Sequence, residues 1–263
     1  MELSVVLITY NEAHRLAPTL EAAQKVADEI IIVDSGSTDE TYEIARRFPL
    51  THWYQRPFRG YGDQKNYANT LARGRYILSL DADEVLSPTL QAAILAEKGH
   101  WRAPAYEVLR VGHFCGAFIR SGEWYPDWKV RLFRRGLAYW SSDPVHEKLI
   151  LPPHTPVQRL PGELWHYTYA SVEESLLRHS RYMQLAAQAL FQNGQKVSWT
   201  RAALKAAFRF LRGFLWRRGW RSGWRGWAIA LQNSWNYFLR EMYLAELYEK
   251  ASRPPSSDTP STA

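Results

Sequence analysis

The sequence predicts an α/β fold with a mostly parallel sheet, followed by a basic helical extension. Short apolar runs alternate with stretches of helical periodicity over about the first 80 residues, as in βαβ units. The best-defined runs each end in a polar cluster. The extension is indicated by charge, because nine of the 33 lysines and arginines lie between residues 196 and 226, without one acidic residue.

The elements follow from composition and spacing. Runs rich in Val, Ile, Leu and Tyr predict strands, and turn residues such as Gly, Asn and Asp separate them from helices. The predicted order is strand 3–9, helix 16–27, strand 29–33, helix 40–48, strand 52–55, helix 64–72 and strand 76–80.

Polar residues follow three of these strands, at positions 9–12, 34–39 and 81–84. In open parallel sheets, ligands bind beyond the carboxyl ends of the strands. We therefore expect the ligand site at this edge of the sheet.

Three acids, Asp81, Asp83 and Glu84, lie directly after the strand at 76–80. Carboxylates this close repel one another unless a cation neutralises them. Mg²⁺ prefers one or two carboxylates together with phosphate oxygens, so the cluster predicts a divalent metal that also holds a pyrophosphate. The alternative is a solvated turn that caps the next helix.

Two further polar residues fit a nucleotide at this edge. Asp34 is placed to accept hydrogen bonds from a base or ribose, although it also suits a cap for the loop that follows. Lys65 is placed to reach a phosphate, and the alternative is an ordinary solvated lysine. The sequence has neither a Gly-x-Gly-x-x-Gly motif nor a Walker-type Gly-Lys-Ser/Thr, so the usual dinucleotide and P-loop sites lack their signatures.

Four segments, taken together and in order, resemble the nucleotide-sugar half of the family 2 glycosyltransferases, which have the GT-A fold. The whole chain is similar to the short bacterial members that add glucose to a heptose of the lipopolysaccharide inner core. The matching segments are residues 4–12, 32–40, 62–68 and 80–84, and residues 124–135 and 144–147 extend the resemblance to about residue 150.

The resemblance implies roles for individual residues. Asp34 would bind the base of UDP, Lys65 would lie near the nucleotide, Asp83 would bind Mg²⁺ or Mn²⁺, and Asp81 would face the ribose or metal-bound water. The residues that would line the uridine pocket are Thr9, Tyr10, Asn11 and Glu12.

An inverting transferase of this family needs a base for the acceptor hydroxyl, and two carboxylates compete for that role. Asp127 precedes a strand-like basic run, where family members commonly carry an acid, but it also suits a turn after Pro126. Glu147 follows His146, and this pair suits proton transfer or a third metal ligand, although His146 also fits a satisfied interior histidine.

The basic run itself holds candidate anion-binding residues. Arg131 and Arg134 are candidates to meet the pyrophosphate or an anionic acceptor. A solvated face of an alternating strand is the other explanation.

The basic segment 196–227 combines arginines with apolar residues at helical spacing. This pattern is typical of a helix on an anionic membrane surface, and the alternative is a stripe packed on the catalytic domain. Glycines within it predict a broken helix. The apolar residues are Leu204, Phe208, Leu211, Leu215, Trp216, Trp220, Trp224 and Trp227, and the glycines are Gly213, Gly219, Gly223 and Gly226.

We expect a catalytic domain at 1–150, a helical extension at 151–250 and a disordered tail at 251–263. The single cysteine, Cys115, excludes an internal disulfide and fits a reducing compartment. No uncharged apolar stretch is long enough to span a membrane. The predicted location is therefore cytoplasmic, peripheral on the inner face of the bacterial inner membrane.

The resulting hypothesis is an inverting, metal-dependent hexosyltransferase that moves a sugar, with glucose expected, from a UDP-sugar to a lipid-linked acceptor such as inner-core heptose. One alternative is transfer to a polyprenyl phosphate. Another is a non-catalytic protein that binds nucleotides or nucleic acid through its Trp-rich basic segment, although we expect no nucleic-acid partner.

Overall fold

The computed structural model describes residues 1–142 and 147–252. The chain forms two compact units. The sheet unit comprises Met1–Phe118 and Pro126–Thr168, and the helical unit comprises Ile119–Tyr125 and the chain from Tyr169 onward.

The sheet unit alternates strands and helices in its first half and is strand-rich in its second. Its strands are β1 (Leu3–Thr9), β2 (Glu29–Asp34), β3 (Thr51–Gln55), β4 (Tyr76–Asp81), β5 (Glu84–Leu86), β6 (Ala105–Phe114), β7 (Ala117–Phe118), β8 (Asp127–Arg134), β9 (Tyr139–Trp140), β10 (Leu149–Ile150) and β11 (Val157–Tyr169). Its helices are α1 (Ala13–Ala23), α2 (Thr41–Ala45), α3 (Tyr61–Leu71) and α4 (Pro88–Glu97).

The main sheet has the strand order β3-β2-β1-β4-β8-β6-β11-β5, with β7 paired to β6. The strands β1 to β4 run parallel, and β8 joins β4 in antiparallel orientation. Buried Val, Ile and Leu side chains of β1, β2 and β4 fill the core with those of α1 and α4. This arrangement confirms the predicted α/β fold.

The sheet continues past residue 150, where we expected the first domain to end. The reason is β11, which pairs with β5 and lies beside β6. Such a late antiparallel strand has no local signal that ties it to the sheet, because its partner lies about 80 residues earlier.

The helical unit consists of three long helices and a short preceding segment. Its helices are α5 (Val172–Gln192), α6 (Trp199–Leu211) and α7 (Gly223–Ser252). Ser171 caps α5, since its hydroxyl accepts the Glu174 N–H at 3.0 Å. A π-helical turn, Arg212–Trp216, and a 3-10 turn, Gly219–Ser222, separate α6 from α7, which agrees with the broken helix expected from the glycines.

The glycines of this break allow the backbone to pack closely. A Cβ on Gly226 would lie 1.8 Å from the Gly219 carbonyl oxygen, and one on Gly219 would lie 2.7 Å from that of Gly213. Any side chain at Gly226 would therefore collide with backbone.

No helix among residues 1–142 and 147–252 is both long and apolar enough to cross a membrane. Of the tail expected to be disordered, Ala251 and Ser252 are the last residues of α7, and residues 253–263 lie outside the described residues.

Candidate active site

The register of the parallel strands brings the predicted ligand residues together at one edge. Thr9 of β1 lies opposite Asp34 of β2, and Ile8 lies opposite Asp81 of β4. The carboxyl ends of these strands therefore form a continuous polar edge. This is where an open α/β sheet binds its ligand.

Asp34 organises the loops that follow β1 and β2 at this edge. One carboxylate oxygen accepts the Thr9 hydroxyl at 3.0 Å, and the other accepts the N–H groups of Gly36 and Ser37 at 2.8 Å each. Asn11, in the left-handed region at φ 55°, accepts the Thr38 N–H at 2.8 Å through its side-chain oxygen. The loops after β1 and β2 are thus fixed to one another.

The other residues expected around the uridine have different surroundings. Tyr10 is exposed, which leaves its ring accessible for stacking. The Glu12 N–H donates to the Thr41 hydroxyl at 2.9 Å, so Glu12 helps to join the first loop to α2. The predicted contacts of these residues with uridine stay predictions.

Asp81 lies between two buried cations. Lys65 Nζ is 2.8 Å from one carboxylate oxygen, and an Arg131 guanidinium nitrogen is 2.9 Å from the other. Burial by itself raises the pKa of Asp81, but these two charges outweigh it and hold that pKa well below its usual value. Burial lowers the pKa of Lys65, yet the charges of Asp81 and Glu147 leave it above its usual value. Asp81, Lys65 and Arg131 are therefore all charged near neutral pH.

These pairs belong to a longer row of alternating charges, which we call the charge network. Its successive N···O distances are 2.9, 2.8, 2.9, 2.5, 3.5, 2.8 and 3.0 Å. In order, the network consists of Glu147, Lys65, Asp81, Arg131, Glu84, Arg110, Asp127 and Lys129. It holds as many formal negative charges as positive ones.

One candidate base, Glu147, ends this network, and the other, Asp127, is next to its opposite end, Lys129. Glu147 is bound to Lys65, and Asp127 accepts two N–H donors of Arg110, at 2.8 and 2.9 Å. Asp127 reaches the site because β8 runs antiparallel to β4, which puts the first residue of β8 at the carboxyl end of β4. The geometry brings both carboxylates to the Asp81 region.

A glycine and an asparagine of α3 explain how Lys65 is positioned. A Cβ on Gly62 would lie 2.0 Å from the Ser141 carbonyl oxygen, so only glycine permits this approach of α3 to the segment after β9. The side-chain amide of Asn66 both donates to and accepts from the Trp140 backbone, at 2.8 Å each. The Trp140 ring consequently lies 4.4 Å from Lys65 Nζ and 5.7 Å from the Arg131 guanidinium carbon.

Asp83 has a neighbour that the sequence did not reveal. His166 Nε2 of β11 lies 3.4 Å from an Asp83 carboxylate oxygen, and its other ring nitrogen is 3.0 Å from the Thr168 hydroxyl. This contact arises because β11 pairs with β5, which begins one residue after Asp83. Burial raises the pKa of Asp83, but the hydrogen bond and charge of His166 outweigh it and keep that pKa below its usual value.

Within the described residues, no group of three His, Cys, Asp or Glu side chains is arranged to hold a metal ion. His146, the predicted third metal ligand, lies outside the described residues. Among the described residues, His166 is the histidine that approaches Asp83.

Arg134 lies away from the site. It pairs with Tyr76 at the amino end of β4, five residues and about 17 Å from Asp81 along the strand. The sequence predicts both Arg131 and Arg134 at the pyrophosphate or an anionic acceptor, because both lie in the same basic run. The antiparallel direction of β8 brings the first to the ligand edge and carries the second away.

A mostly parallel sheet with polar loops and a carboxylate pair at the carboxyl ends of its strands is the arrangement of the GT-A fold. Residues 4–102 match the glycosyl transferase family 2 profile. The chain therefore carries a family 2 glycosyltransferase domain, as the sequence motifs predicted.

Similar proteins extend over nearly the whole chain. A glycosyltransferase of Rickettsia typhi without an assigned activity is 28% identical over an alignment of 268 positions that covers 98% of this chain and 91% of that protein. The lipopolysaccharide core biosynthesis glycosyltransferase LpsC of Rhizobium meliloti is 27% identical over 274 residues, covering 98% and 97%. A mannosyltransferase of Pyrobaculum calidifontis, solved with GDP-mannose and Mn²⁺, superposes with a TM-score of 0.51 at 15% identity, covering 96% and 88%. This last likeness supports the fold.

Proposed function

We propose that this protein is an inverting, metal-dependent glycosyltransferase that moves a sugar, with glucose as the first candidate, from a UDP-sugar to a lipid-linked saccharide. The observation that carries the proposal is the position of Asp81 and Asp83 at the carboxyl end of β4, with Lys65, Arg131 and His166 around them. Lys65 and Arg131 are cations suited to a diphosphate, and Asp83 and His166 are the side chains proposed to hold the metal.

The donor would bind along the polar edge formed by β1, β2 and β4. Its base and ribose would contact Thr9, Asn11 and Asp34, where the two loops are fixed to one another. Its diphosphate would lie toward Lys65 and Arg131, each of which is paired with Asp81 in this structure. The diphosphate would compete with Asp81 for these cations and so loosen their hold on it.

The residues present fit Mg²⁺ or Mn²⁺. Asp83 and His166 supply a carboxylate and an imidazole 3.4 Å apart, and Thr168 steadies the far side of the ring. The charge network is neutral without a ligand, so the two charges of a diphosphate would be left uncompensated in a partly buried site. A divalent ion held by Asp83, His166 and phosphate oxygens would supply the missing positive charge as the diphosphate leaves.

Asp127 is the proposed base. Arg110 holds one of its carboxylate oxygens through two hydrogen bonds, which orients the other toward the half-exposed Lys129. In the reaction, the acceptor hydroxyl oxygen bonds to the anomeric carbon as its proton passes to Asp127. The bond from that carbon to the diphosphate breaks, and its electron pair leaves with UDP. Glu147, bound to Lys65, is the alternative base.

The proposed acceptor is a heptose of the lipopolysaccharide inner core, which is supported by the similarity to LpsC. Such an acceptor would place the protein on the inner face of the inner membrane as a peripheral enzyme. Transfer to a polyprenyl phosphate is the alternative within the same chemistry.

Calorimetry of UDP binding, with and without Mn²⁺, tests the donor site, and a screen of UDP-sugars for hydrolysis tests the donor sugar. We expect UDP to bind at least tenfold more tightly when Mn²⁺ is present. Equal affinity with excess EDTA would rule out the metal-dependent mechanism. Heptose-terminated lipopolysaccharide and polyprenyl phosphate, offered as competing acceptors, distinguish the two acceptor classes.

A further inference from the structure

Helix α6 buries its small side chains and exposes most of its large apolar ones, whereas α7 buries Ile229 and Leu244 together with small residues. On α6, the buried residues are Ala202 and Ala206, whereas Leu204 and Phe208 are 74% and 53% exposed. A helix that packs on a protein core normally shows the reverse pattern. Small residues at helix contacts and large apolar residues facing outward are instead typical of helices in contact with lipid.

The outward residues form one stripe along each helix, and each stripe extends by one residue into the turns between the helices, Leu215 of Arg212–Trp216 and Trp220 of Gly219–Ser222. Their spacing of three or four residues keeps them on one face, and Phe208 lies 5.9 Å from Trp216 at the end of the first stripe. The first stripe is Leu204, Phe208, Leu211 and Leu215, and the second is Trp220, Trp224, Trp227, Leu231 and Trp235, all about half or more exposed. We call these stripes together with Trp216 the apolar face.

Cations flank the apolar face. The segment 196–226 carries nine lysines and arginines and no acid, and the exposed ones include Lys205, Arg218 and Arg221. Arg209 and Arg212 have an acidic partner, Glu123 of the segment Ile119–Tyr125, at 3.4 and 3.6 Å. The other cations named here are turned to the surface, where they suit an anionic partner.

This charge distribution selects among the possible partners. Two copies meeting through the apolar face would bring their cations together, and like charges in an interface cost several kcal/mol. A single-stranded nucleic acid would stack on aromatic rings, yet the face also contains leucines along both helices, which offer nothing to stack on. Hydrocarbon beneath anionic headgroups satisfies both the leucines and the arginines.

We propose that the apolar face of α6–α7 inserts into the interfacial region of an anionic bilayer, with the flanking cations at the phosphate groups. Its biological purpose rests on the proposed function, because a lipid-linked acceptor lies at such a surface. The tryptophans suit the boundary between headgroups and acyl chains, since an indole is apolar with one hydrogen-bond donor.

The test is sedimentation of the full chain with vesicles containing phosphatidylglycerol, beside vesicles of phosphatidylcholine alone. We expect strong binding to the anionic vesicles at low salt and a steep loss as salt is raised. Lys205→Gln, Arg218→Gln and Arg221→Gln together should weaken binding about a hundredfold, because each cation near such a surface contributes about 1 kcal/mol. The control removes the exposed cations Lys25, Arg46 and Arg47 of the sheet unit in the same way and should leave vesicle binding unchanged.

A second pair of variants tests insertion. Leu204→Gln with Trp216→Gln should reduce vesicle binding at least tenfold and leave the melting temperature unchanged, because both side chains are exposed. Leu95→Gln with Tyr42→Gln is the matched control, since these residues are 48% and 49% exposed on the sheet unit. A large fall in melting temperature for the first pair would overturn the proposal and make these side chains structural.

Three other outcomes would also overturn it. They are no binding to anionic vesicles at low salt, a dimer that the Leu204 and Trp216 changes dissociate, and RNA binding that those changes abolish. Calorimetry of UDP binding on the same preparations separates this proposal from the proposed function. Vesicle binding without UDP binding would refute the donor site alone. UDP binding without vesicle binding would refute the membrane role of the apolar face alone.

Discussion

The two units of this chain place apolar and charged side chains in opposite ways. The sheet unit buries its large apolar residues, such as Leu78, Ile32 and Phe133, and pairs its charges at the carboxyl ends of its strands. The helical unit buries Ala and Gly together with Ile229 and Leu244, and leaves the Leu, Phe and Trp side chains of the apolar face exposed. The sheet unit pairs its charges within itself, whereas the helical unit has an apolar surface that none of the described residues covers.

The difference teaches that hydrophobic periodicity alone does not tell a core from a contact surface. Leu78 of β4 and Leu204 of α6 both occur in regular apolar patterns, but one is fully buried and the other is 74% exposed. What separates the two regions in the sequence is the charge around them, because nine cations without an acid cannot be packed into a protein core.

The largest effect is expected at Asp83, the proposed metal ligand of the sheet unit. Asp83→Ala should reduce sugar transfer by at least about 10³-fold, because the site would lose the ligand that helps to neutralise the leaving diphosphate. Transfer and donor hydrolysis with saturating Mn²⁺ would measure it. Asp63→Ala, which removes a half-exposed acid of α3, is the control. Near wild-type activity of the Asp83 variant would contradict the mechanism.

The second prediction concerns the base. Asp127→Asn should lower transfer by about 10²–10⁴-fold and leave UDP affinity nearly unchanged, because the amide keeps its place beside Arg110 but cannot take a proton. Calorimetry and a transfer assay on the same preparation separate binding from chemistry. If Glu147→Gln shows this pattern and Asp127→Asn does not, the two carboxylates exchange roles.

The third prediction applies one substitution to both units. Leu78→Ala should lower the free energy of unfolding by about 2–5 kcal/mol, because it leaves a cavity in the core. Leu204→Ala should change it by less than about 0.5 kcal/mol, since that side chain is mostly in water. Urea denaturation of each variant provides the values. Comparable losses in the two variants would remove the contrast between the units.

The smallest effect is expected at the histidine beside the carboxylate. His166→Gln should raise the Mn²⁺ concentration needed for half-maximal transfer by about 10–100-fold, since Asp83 and phosphate oxygens would still hold the ion. His154→Gln, in the loop between β10 and β11, is the control. An unchanged metal requirement would exclude His166 as a ligand.

The first half of the site could be predicted because its geometry is local to each βαβ unit. Each parallel strand ends at the same edge, so Thr9, Asp34 and Asp81 were known to be neighbours once the strands were recognised. The motif around Lys65 likewise lies in the helix between two of these strands.

The second half could not be predicted because antiparallel strands bring together residues that are distant in sequence. His166 reaches Asp83 through the pairing of β11 with β5, and Arg110 reaches Asp127 through the pairing of β6 with β8. The prediction for Arg134 was wrong for a related reason. The direction of β8 decides whether this residue lies at the carboxyl or the amino end of β4. Nothing in the sequence around Trp140 indicated that its ring lies beside Lys65.

The segment Ile119–Tyr125 belongs to the helical unit although residues of the sheet unit precede and follow it. Its anchors lie far along the chain: the Gly122 N–H donates to the Arg217 carbonyl at 2.8 Å, and Ser121 and Ser222 share a hydrogen bond of 2.6 Å. During synthesis at about 5–20 residues per second, the ribosome delivers Arg217 roughly 5–20 s after Gly122. The nascent chain therefore holds this segment without its partners while β8 and β11 are being made. A truncation that ends the chain after Thr168 would leave it in that state permanently, so the two units cannot be separated by a single cut.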